Sequence, residues 1–103
     1  MVTINLRGYK GNIDDIEKHF DADFCENVIK SICSAIDIGT PKIIIARILT
    51  DAEDIFLMAS ERYFKNTMEC YLPTLIRFER YEVCAMAKKY ISIIEKNNLE
   101  YTG

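Results

Sequence analysis

The sequence predicts a mainly α protein, a compact bundle of four to five helices with a short strand at its N-terminus. Two observations carry that expectation. Apolar residues recur at i, i+3, i+4, i+7 spacing over 25–36, 45–63 and 76–94, which lines one face of a helix. Capping residues also stand where such helices would begin and end. The alternative is an α+β fold, with strands at 2–7, 42–49 and either 55–60 or 75–80 in one small sheet.

Met1 to Tyr9 alternates Val2, Ile4 and Leu6 with Thr3, Asn5 and Arg7, a half-buried strand pattern. Asn12 is suited to cap a short helix whose inner face holds Ile13, Ile16 and Phe20. Asp23 reads as a second cap, with Glu26 three residues on. Cys25, Val28, Ile29, Ile32 and Ile36 follow at helical spacing, and Gly39 stands where a helix ends in a left-handed residue. Thr40 and Pro41 then look like the start of another helix.

Segment 42–49 is the ambiguous one. Ile43, Ile44 and Ile45 are β-branched and suit a buried strand. Ile48, Ala52, Ile55, Phe56 and Ala59 nevertheless continue a helical stripe, so 42–49 is assigned to a helix with a strand as its alternative. Good helix formers fill 52–64, with Asp51, Glu53 and Asp54 at the start. Asn66 and Thr67 are expected to break that helix. Pro73 borders the last one, which Asn97-Asn98 ends before a frayed tail.

The 103 residues are expected to form one domain. No apolar run approaches the ~20 residues that span a bilayer, and no basic-then-apolar leader is visible. Four scattered cysteines fit reduced, largely buried thiols in the cytoplasm.

The net charge is −3 but unevenly spread: 12–26 holds six acids against Lys18 alone. Such a surface disfavours nucleic acid, which needs a basic stripe. It favours a basic protein, such as a toxin or nuclease. Asp14, Asp15, Glu17 and Asp21 are the acidic candidates for that docking face. Their simpler role is to start helices and keep the chain soluble. Tyr71, Arg77 and Tyr81 are the candidate anchors, because tyrosine and arginine dominate interface energetics.

No catalytic set stands out. One histidine, no phosphate-binding glycine loop and no metal-spaced cysteines argue for a non-enzyme. Asp15 and His19 share a helical face but lack further ligands, and no cofactor or metal is expected. The leading expectation is therefore a small acidic inhibitor, such as an immunity protein, an antitoxin or a phage anti-defence protein. The alternatives are a thiol enzyme using Cys25, and a subunit that homodimerises through its last helix.

Overall fold

The computed structural model of the chain describes residues 2–8 and 21–102, with side chains to 97. It overturns the helical bundle. The protein is α+β: strand β1 (Val2–Asn5), helix α1 (Ala22–Ile38), strands β2 (Lys42–Leu49) and β3 (Asp54–Ser60), and helices α2 (Phe64–Arg77) and α3 (Tyr81–Thr102). A 3₁₀ turn, Glu61–Tyr63, leads into α2. The sheet order is β1-β2-β3, with β1 parallel and β3 antiparallel to β2. The strand considered at 75–80 is not found, since α2 ends at Arg77 and α3 begins at Tyr81.

Segments 42–49 and 52–64, expected as helix, instead form a hairpin with the start of α2. Burial alternates along β3: Ile55 and Leu57 are half-buried and Ala59 is buried, while Phe56 and Met58 are exposed. The same alternation runs through β1. In β2 it is broken by a bulge. Ile44 pairs with Met58 and Ala46 with Leu57, so Ile45 is an extra residue and both Ile45 and Ala46 are buried. A bulge of this kind erases the period of two on which a strand is recognised. Apolar residues on the outer face, Ile44, Phe56 and Met58, fill in the spacing that resembled a helix.

The acids read as a helix start make the hairpin turn. The Thr50 hydroxyl donates to the Glu53 carbonyl (2.6 Å) and accepts from its N–H (3.0 Å). The Asp51 carboxylate accepts the N–H of Gly8, whose φ of +82° requires glycine's freedom. Asp54 opens β3 and pairs with Arg47.

Asp21, rather than Asp23, caps α1: its Oδ1 accepts the Phe24 N–H at 2.9 Å. Gly39 ends α1 as expected, at φ +83°, with its own N–H and that of Thr40 bonded to the Ala35 carbonyl. Thr40 and Pro41 lead into β2 instead of a helix. Asn66 and Thr67 do not break α2, and within the helix the Thr67 hydroxyl donates to the Tyr63 carbonyl one turn back (2.8 Å). Pro73 lies inside α2, where it has no N–H to give the Glu69 carbonyl. The tail is helical to Thr102, past Asn97-Asn98. The short helix expected after Asn12 lies outside the described residues.

One buried cluster joins the layers. Val28, Ile29 and Ile32 of α1 meet Ala46 and Ala59 of the sheet, Phe64, Met68 and Leu75 of α2, and Val83 and Ala87 of α3. Among the described residues the helices thus cover one face of the sheet and leave the other open.

Three groups tie alkaline stability to this core: Cys25, whose pKa burial raises, Cys33 and Tyr90. Burial, aided by Asp37, pushes the Cys33 thiol up to about 11 from 9.0. The Tyr90 hydroxyl donates to both Asp37 oxygens (2.8 and 2.7 Å), and that bond raises its pKa. Each group holds its proton longer when folded, so the native state binds more protons above the unfolded pKa. Stability should therefore be flat with pH below about 9 and fall between about 9 and 11. Urea denaturation across that range should show the fall, and Cys33→Ala should make it shallower. An unchanged slope in that variant would remove Cys33 as a source.

Candidate partner-binding surface

The end of the molecule where α2 turns into α3 meets the start of α1. The turn closes α2 with the Glu79 N–H bonded to the Ile76 carbonyl and the Arg80 N–H to that of Leu75. This geometry places Glu79 at φ +61°, a left-handed position that usually selects glycine and costs an L-residue roughly 1–2 kcal/mol. Arg80 then reaches across to α1, with its guanidinium 2.9 Å from Asp23 Oδ1 and 3.5 Å from Glu26 Oε1.

Around that bridge, Ile76, Phe78 and Tyr81 are 47%, 49% and 60% exposed, more than large apolar side chains usually are. The Arg77 guanidinium lies over the Phe78 ring at 5.1 Å. The acids on these segments are Asp21, Asp23, Glu26, Glu79 and Glu82, against Arg77, Arg80 and Lys30, which pairs with Glu26 at 3.4 Å. Arg80 neutralises part of Asp23 and Glu26, which leaves the end acidic on balance.

Asp21 and the pair Arg77 and Tyr81, 56 to 60 positions later in the chain, sit at one end because Arg80 clamps the turn to α1. Tyr71 does something else: its ring is half-buried and packs edge-to-face on Phe24, 6.0 Å between centroids. Asp14, Asp15 and Glu17 lie outside the described residues. Sequence reasoning missed Ile76 and Phe78 as surface residues. Their signal was there, as apolar residues alternating with charges in Ile76-Arg77-Phe78-Glu79-Arg80-Tyr81.

A groove of about 750 Å³ is floored by Ile36, Phe64 and Ile94 and rimmed by Glu61, Arg62 and Lys65. Its lysine is already paired with Glu69 and Glu95. The open face of the sheet carries Ile44, Phe56 and Met58, with Arg47 over the Phe56 ring at 6.0 Å.

The Cys25 thiol is 1% exposed and burial, followed by Asp21, raises its pKa. A nucleophilic thiol needs the opposite shift. Its conceivable base, His19, lies outside the described residues. Cys33 and Cys84 are buried too, but Cys70 is exposed, so the four thiols are not all core. Among the described residues no group of three or more His, Cys, Asp or Glu is placed to hold a metal, and no helix is long and apolar enough to cross a membrane.

Comparison with family models, curated proteins and solved structures finds no match to this chain. The class is therefore architectural: among the described residues, an α+β protein in which α1 and α2 pack on a three-stranded mixed sheet and α3 packs on both helices.

Proposed function

We propose that this is a non-catalytic binding protein that docks a basic protein partner through the α2–α3 turn and the start of α1. The observation that carries the reading is the exposed pair Phe78 and Tyr81 set among Asp21, Asp23, Glu79 and Glu82. Rigid aromatics anchor an interface while acidic neighbours steer a cationic partner to it and reject acidic ones. An inhibitor that occludes a basic toxin or nuclease, such as an immunity protein, antitoxin or phage anti-defence protein, fits that chemistry. It would act in the cytoplasm, where free thiols stay reduced.

The test uses the immobilised protein and lysate from cells that carry its gene. A basic partner should be captured, and it should be released as salt rises, because exposed charges are screened beyond about 8–10 Å near physiological ionic strength. Phe78→Ala with Tyr81→Ala should weaken that complex at least about 30-fold, the size of one hot-spot residue at about 2 kcal/mol. Both side chains are exposed, so the double variant should keep its fold and unfolding midpoint. A partner whose binding ignores both the variant and the salt would move the interface elsewhere.

A further inference from the structure

From the free edge of β3 we infer a second binding surface, independent of the one above: two copies of this chain join by antiparallel β3–β3 pairing centred on Leu57, making one six-stranded sheet. β3 ends the sheet, and among the described residues no strand pairs with its outer edge. Edge strands are normally guarded by lysine, proline, a bulge or shortness. The other edge, β1, is short at four residues. β3 is seven residues long, Asp54-Ile55-Phe56-Leu57-Met58-Ala59-Ser60, with no proline, glycine or lysine. The sheet's bulge lies in β2, away from this edge.

A second copy suits this edge because its cross-strand rows match themselves. A two-fold axis at Leu57 sets Phe56 opposite the partner's Met58 and Ile55 opposite the partner's Ala59. On the outer face Ile44 already pairs with Met58, and Arg47 with Phe56. The new pairing extends those rows into Ile44, Met58, the partner's Phe56 and the partner's Arg47, and into the symmetric row. Thioether and ring then meet at the seam, a favourable contact. The polar ends match as well: Ser60, which pairs with Lys42, comes opposite the partner's Asp54. Moving the axis to Phe56 or Met58 would instead set Asp54 against Met58, or Phe56 against Ser60. Phe56 and Met58 are 49% and 62% exposed in the single chain, and this pairing would cover the flank of each that faces the seam. One strand edge is a small interface, so the dimer should be weak and concentration-dependent.

Sedimentation of the full chain over a concentration series is the test. The native protein should pass from monomer to dimer. Met58→Lys and Phe56→Glu should each raise the dissociation constant about tenfold or more by putting a charge in an apolar cross-strand pair. Both positions are exposed, so each variant should keep the native circular dichroism spectrum and unfolding midpoint. An equimolar mixture of the two variants should recover association, because Glu at 56 then faces Lys at 58 of the other copy. A native protein that stays monomeric at every concentration would overturn the inference. So would a dimer that tolerates both substitutions, or two weakened variants whose mixture does not recover.

Discussion

Phe64→Ala should destabilise the protein by about 3–5 kcal/mol, the range for deleting a buried aromatic ring. Phe64 is 1% exposed and is the first residue of α2. It follows directly on the 3₁₀ turn, which the Glu61 N–H pins to the Pro41 carbonyl at 2.7 Å. The ring is thus the point at which the chain leaves the sheet and seats the α2–α3 pair on it. Its cluster partners come from α1, the sheet, α2 and α3. A domain of this size has about 5–15 kcal/mol in all, so one substitution should remove a large fraction of it. Urea denaturation should show a lower midpoint with an unchanged slope. A loss under about 1 kcal/mol would mean that the ring does not fill the core as placed.

Much of this core was legible in the sequence, because local rules and global packing agree in it. Gly39 ends α1 where the sequence places its end, the cap lies two residues before the expected Asp23, and the stripe from Cys25 to Ile36 is buried or half-buried, as the spacing implies. The alternation of Val2 and Ile4 likewise marks β1. The sheet's other strands were obscured for two physical reasons. The bulge at Ile45 puts two successive residues into the core, and the uncovered face of β2 and β3 is itself apolar at Ile44, Phe56 and Met58. An amphipathic strand shows its period only when its outer face is polar. Asn66, Thr67 and Pro73 are poor helix residues by local propensity, which the tertiary packing of Phe64, Met68 and Leu75 in α2 overrides. At the proposed docking end, Arg77 and Tyr81 were singled out from residue type alone. Their meeting with Asp21 was not legible, because it depends on Arg80 bridging 57 positions to Asp23.

The hairpin makes a prediction that separates it from the helical reading of the same residues. On a helix, Ile48, Ala52, Ile55 and Ala59 would face one core and share its burial. In the hairpin, Ile48 is 1% exposed on the central strand, Ile55 is only half-buried on the edge strand, and Ala52 is exposed in the turn. Ile48 also has neighbours on both sides, with Ile4 across one pairing and Ile55 across the other. Ile48→Ala should therefore cost about 2–5 kcal/mol, the range for a large-to-small change at a buried site. Ile55→Ala should cost less than half as much, because part of its surface already faces water and little cavity is left behind. Ala52→Lys should stay within about 0.5 kcal/mol of the native protein, since a turn residue in water buries no charge. Equal losses at Ile48 and Ile55, or a collapse of the fold in Ala52→Lys, would restore the helix. The graded order across three positions, read from urea midpoints, is a pattern that only the strand–turn–strand arrangement produces.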